Sequence, residues 1–204
     1  MWPIEAVIAR HEAGLNASEH VVMDESTEAA AAASGVAPGA GGAEAARAAG
    51  MKVVVAVDAS EESLHALSWA LDHVVRLHPG ASLVVLHAQH RVDHSAYAGL
   101  AYVPPTAMDA MRRTQEENSR NVVARALDVC RQKQASATAT VVVGDAKEAI
   151  CQAVEDMRAD LLVLGSRGLG MIKRAFLGSV SDYLAHHARC PVLIVKPPNK
   201  ARQF

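Results

Sequence analysis

The 204-residue chain carries 20 basic and 22 acidic side chains, a formal net charge of −2, with half of its residues apolar and 3% aromatic. That balance excludes nucleic-acid binding driven by bulk positive charge, and no run of eighteen apolar residues exists to cross a bilayer, so neither nucleic acid nor membrane is expected as a partner. The cysteines Cys130, Cys151 and Cys190 are odd in number and lack CxxC spacing, which excludes a complete disulfide framework and fits reduced thiols.

The charge is spread unevenly. Residues 1–50 hold two basic and seven acidic side chains, together with 16 alanines and 6 glycines. Small residues bury too little apolar surface to offset the entropy of ordering. Residues 1–50 therefore read as a disordered arm, in which EAAAAA can form a transient helix. Its start, MWPIEAVIARHEAG, places Glu5 and Glu12 where a secretory or transit peptide would not carry acid. The expected location is cytoplasmic, with nuclear entry open to a chain of this size.

At Met51 the pattern changes, and a folded domain is expected over 51–204. KVVVAV predicts a strand. SEESLHALSWALDHVVRLH predicts one helix with Leu64, Leu67, Leu71, Val74 and Val75 on its inner face. SLVVLHA predicts a second strand, followed by a polar, irregular stretch through Tyr97, Gly99, Pro104 and Pro105. TAMDAMRRTQEENSRNVVARALDVCRQKQ predicts a long helix, with Val122, Val123, Ala126, Leu127 and Cys130 at inward spacing. ATATVVVG predicts a strand, and DAKEAICQAVEDMRA a helix opened by Asp145 with Glu148 three residues on, a capping box. DLLVLG, SVSDYLAHHA and CPVLIVK predict strand, helix and a last strand.

The strand cores VVVAV, LVVL, TVVV, LLVL and VLIV are continuously apolar, so both faces must be covered, as in a parallel sheet. Five strands alternating with helices predict a doubly wound, Rossmann-like α/β sandwich. Ligands bind such sheets beyond the carboxyl ends of the strands. Those ends are VDAS at 57–60, HAQH at 87–90, GDA at 144–146 and the segment GSRGLGMIKRAFLGS at 165–179.

That last segment holds four of the 13 glycines. It is neither a dinucleotide fingerprint nor a Walker loop. Glycines let backbone N–H groups face an oxyanion without a Cβ in the way, and a helix starting near Ser179 adds unpaired N–H groups and a positive dipole end. Ser179 and Ser181 add hydroxyls. Ser179 also fits a helix N-cap, with Asp182 returning the bond, and Asp58 fits an acidic cap before the first helix. Lys173 and Arg174 read as solvated charges.

The spacing Gly165, two residues, Gly168, nine residues, Gly178, Ser179, followed by VSDYLAHHARCPVLIVK, resembles the universal stress protein family, particularly its plant single-domain members. VVVAVDASEES resembles that family's first strand and loop, SLVVLHA its second strand and VVVGDAKEAI its fourth element, so the likeness spans 51–198. The resemblance implies a sandwich of the adenine nucleotide alpha hydrolase-like type and an ATP-binding member, with or without Mg. It puts Asp58 on the ribose or adenine side, and Val57 and Ala88 along the base. At the position of Ala88 the family commonly carries a larger aliphatic. Gly165, Gly168, Gly178, Ser179 and Val180 would wrap the phosphates. The resemblance also implies a homodimer through antiparallel pairing of the last strand, Val192–Val195.

Catalytic signatures are absent. The chain has no Walker motif, no kinase HRD or DFG set, no HxGH and no GxSxG. His186 and His187 are adjacent and so diverge on a helix, while His87, His90 and His94 could gather at a pocket mouth. Cys190 reads as a buried structural thiol. The leading function is a nucleotide-dependent stress-response and signalling module with little or no turnover. A slow ATPase or AMP-forming hydrolase is the enzymatic alternative. A chaperone-like oligomer with a vestigial site is the third.

Overall fold

The computed structural model describes residues 50–91, 104–168 and 177–197. The arm, the irregular stretch from 92 to 103, and Lys173 and Arg174 lie outside the described residues. Among them run β1 (Lys52–Ala56), α1 (Glu61–His73), β2 (Ser82–Gln89), α2 (Pro105–Gln132), β3 (Thr138–Val143), α3 (Ala146–Asp156), β4 (Leu161–Gly165), α4 (Ser179–His187) and β5 (Val192–Val195). The strands form one sheet in the order β3-β2-β1-β4-β5. Every neighbouring pair is parallel. The fold is the predicted five-stranded doubly wound α/β sandwich.

Each strand alternates its side chains between two helical layers. Val53 and Val55 of β1 face one core, built with Ala66, Leu67, Ala70 and Leu71 of α1 and Val122, Ala126 and Cys130 of α2. Val54 faces the other, with Leu86, Leu162 and Leu164, closed by Ile150, Ala153 and Val154 of α3 and Leu184 of α4. Both faces of the sheet are therefore dry, which is why its strands carry no polar alternation. A side chain such as Leu67, with 0% exposure, contributes about 1.5–3 kcal/mol by leaving water.

The local signals hold with three corrections. The first predicted helix is shorter: α1 ends at His73, and Val75–Leu77 forms a separate 3-10 turn. Val123 and Leu127 are half-buried, while Val122, Ala126 and Cys130 are buried. Cys190 is half-buried, at the approach to β5, and is not a core thiol. Asp145 does open α3, its side chain accepting from the N–H of Lys147 at 3.0 Å. Burial pushes the Cys130 thiol up to about 11. Burial also raises Cys151 and Cys190. No helix among the described residues is long and apolar enough to cross a membrane.

Candidate functional site

β1 sits between β2 and β4, so the chain leaves β1 toward one neighbour and later returns to its other side. The carboxyl ends of β1 and β4 thus flank the crevice where such sheets bind ligands. Beyond β1, Asp58 folds a tight polar turn. Its Oδ1 accepts from the N–H of Ser60 at 3.0 Å and from the Ser60 hydroxyl. Its own N–H donates to Ser63 Oγ at 3.2 Å. Ser60, not Asp58, is the N-cap of α1, accepting from the N–H of Ser63. Asp58 instead fixes the cap residue, which orients its carboxylate toward the crevice.

β4 leads into Ser166, Arg167 and Gly168. The carbonyl of Ser166 accepts from the N–H of Gly178 at 2.8 Å. The buried Ser181 hydroxyl lies 3.1 Å from that carbonyl and 2.9 Å from Gly178 O. These bonds clamp the exit of β4 to the start of α4. The N-cap of α4 is Gly178, which makes no side-chain capping bond, and Ser179 is the first helical residue. The expected Ser179 cap is therefore displaced by one position. An exposed Ser179 hydroxyl and the uncapped first-turn N–H groups face outward from the helix start.

Two glycines are required by close approach. A Cβ on Gly165 would stand 3.1 Å from the backbone of Glu62 at the start of α1. A Cβ on Gly168 would stand 2.5 Å from Asp58 Oδ2. Gly165 and Gly168 thus pack directly on the turn after β1, bringing a carboxylate and backbone amides to one rim.

The result is a cavity of about 210 Å³ lined by all eight residues singled out from the sequence: Val57, Asp58, Ala88, Gly165, Gly168, Gly178, Ser179 and Val180. Its floor is apolar, with Ala56, Ala88, Ala146, Ile150, Leu164 and Leu184. Its rim is polar, with Asp58, Ser63, Arg167, Ser179 and Ser181. On this face the sheet steps from Val54 to Ala56 and from Leu86 to Ala88, so the hollow is opened by truncated side chains at the strand ends. The sequence reading missed Arg167, Ala146 and Ile150. Arg167 stands inside the glycine motif and was open to recognition. The other two reach the cavity only through the placement of α3.

Neither His87 nor His90 lines this cavity, and His94 lies outside the described residues. His87 Nδ1 lies 2.9 Å from Val57 O, a satisfied partner across the strands. No cluster of three metal-ligating side chains occurs among the described residues. A second cleft, about 440 Å³, lies at the far end of α1 and includes Asp72 and Lys133, which form an ion pair. It contains none of the expected site residues.

The model of the universal stress protein family matches residues 51–196. The chain belongs to the universal stress protein family. A universal stress protein A-like protein of Arabidopsis thaliana is 32% identical over 157 residues, covering 71% of this chain and 89% of the relative. Universal stress protein PHOS34 of the same plant is 33% identical over 164 residues, but the match covers only 62% of that longer protein. Among solved structures, a family member from Arabidopsis thaliana with AMP bound superposes with a TM-score of 0.54 at 29% identity, over 73% of this chain and 93% of that one.

Proposed function

We propose that this universal stress protein binds ATP or a closely related adenine nucleotide and acts as a nucleotide-dependent stress-response module. The observation that carries the reading is the cavity, apolar below and amide-rich at its rim, at the crevice between β1 and β4. An apolar floor suits a purine ring, and uncapped helix N–H groups beside glycines suit phosphates. The plant relative described with AMP bound supports the same class of ligand.

In this reading Val57 and Ala88 flank the base, and Asp58 accepts from ribose hydroxyls or the adenine amine. Gly165, Gly168, Gly178, Ser179 and Val180 surround the phosphates. The cavity volume lies below the roughly 300–1,000 Å³ of common ligand pockets, so the phosphate tail extends along the glycine rim. Among the described residues, Asp58 is the sole carboxylate lining the cavity. A Mg ion would therefore arrive with the phosphates and keep most of its waters.

The folded unit begins at residue 51, with residues 1–50 an appended arm. It functions as a homodimer through β5. That strand is at the sheet edge. Pro191 O and Val195 O accept from β4, so the alternate residues Val192 and Ile194 direct their backbone groups to the open side. Such an edge invites pairing.

The test is retention of ligand. The protein is purified, denatured, and its released small molecules identified by mass spectrometry, with Gly178→Val combined with Ser179→Ala as the control. ATP, ADP or AMP from the wild type and none from the double variant is the expected result. A wild type that releases no nucleotide and fails to bind added ATP would overturn the reading.

A further inference from the structure

We propose that Arg167 is a phosphate-reading residue of this site, setting its preference for nucleotides over nucleosides. The proposal rests on the nucleotide reading above and adds to it a side chain that the glycine spacing does not specify.

Three observations converge on Arg167. It lines the cavity together with Gly168, Gly178 and Ser179. Its Nε is buried and has no hydrogen-bond partner among the described residues. Its backbone is fixed between the two clamped segments: Ser166 O accepts from Gly178, and the Cα of Arg167 lies 3.4 Å from where a Gly178 Cβ would stand.

A buried donor left unpaired costs the desolvation of that group. A guanidinium never escapes the cost by losing its proton, because it stays charged at any working pH. No described residue supplies the acceptor, and a bound anion would. The edge of an arginine carries two parallel N–H groups that match two oxygens of a phosphate, the strong bidentate arrangement. The neighbouring groups favour the same kind of ligand, since the uncapped start of α4 contributes N–H groups and partial positive charge. Glycine amides and a helix end attract any anion weakly. A guanidinium beside them adds full charge, and its contribution grows with the negative charge on the ligand.

The Asp58 carboxylate on the same rim sharpens the discrimination. It abuts Gly168, next to Arg167. A phosphate placed at Arg167 lies apart from the carboxylate only if the sugar faces Asp58, so the two charges together impose one orientation along the cavity.

The test uses the full chain and titrates ATP, AMP and adenosine calorimetrically against wild type, Arg167→Gln and Arg167→Lys, at low and high salt. Melting curves confirm that each variant folds. Arg167→Gln is expected to weaken ATP by about ten- to a hundred-fold, as for a lost charge-assisted hydrogen bond. AMP should weaken less and adenosine by no more than about twofold. The lysine variant should recover part of the ATP affinity, and the salt dependence should flatten in the glutamine variant. Equal losses for adenosine and ATP would make Arg167 merely structural and overturn the inference. Unchanged ATP affinity in Arg167→Gln would overturn it while leaving the nucleotide reading intact. A wild type that binds none of the three ligands would overturn both.

Discussion

Gly168→Ala probes the contact that joins the two halves of the rim. The new Cβ would stand 2.5 Å from Asp58 Oδ2, 0.9 Å inside the 3.4 Å at which ordinary contact begins. The backbone is not the obstacle, since Gly168 has no positive φ among the described residues. The carboxylate must move, and its other oxygen holds the N–H and hydroxyl of Ser60. Ser60 in turn caps α1. A displacement of this size breaks at least one hydrogen bond to a charged acceptor, worth about 1.5–3 kcal/mol. We expect Gly168→Ala to lower unfolding stability by about 2 kcal/mol in urea, with an unchanged denaturant slope. In an Asp58→Ala background the same substitution meets no carboxylate and should cost less than about 0.5 kcal/mol. The double-mutant cycle should therefore return a coupling of about 1.5 kcal/mol or more. Strictly additive effects would refute the argument that this glycine exists to admit Asp58.

Ser181→Ala removes the hydroxyl that ties Ser166 to the start of α4; about 0.5–1.5 kcal/mol should be lost, read from the urea midpoint, with weaker nucleotide retention. The Cys130 thiol is raised by burial from 9.0 to about 11, so the unfolded chain ionises first as the medium becomes alkaline. Stability should hold below pH 9 and fall between about pH 9 and 11, by at most about 1.4 kcal/mol per pH unit. Cys130→Ala should flatten that part of the profile, and native Cys130 should resist alkylation at pH 8. Ile194→Pro deletes an outward N–H of β5 and should convert the proposed dimer to monomer, measured by light scattering; an intact dimer would remove β5 as the interface.

The sequence by itself determined the architecture. Continuously apolar runs such as VVVAV and LLVL state that both faces are covered, and alternation with helices then leaves parallel crossovers. It also picked out eight residues that line one cavity, because glycines in a strand-to-helix connection and a polar turn after the first strand are local patterns. Tertiary structure alone decided how they meet. Gly168 is a glycine because Asp58, 110 positions earlier in the chain, occupies the space beside it. Local pattern favoured Ser179 as the cap of α4, yet the clamp between Ser166, Gly178 and Ser181 moves the helix start by one residue and leaves Ser179 exposed. Arg167 drew no reading of its own from the sequence. The role proposed for it rests on a buried Nε and a place in the cavity lining, which depend on packing between β4 and α4 and have no signature in the order of residues.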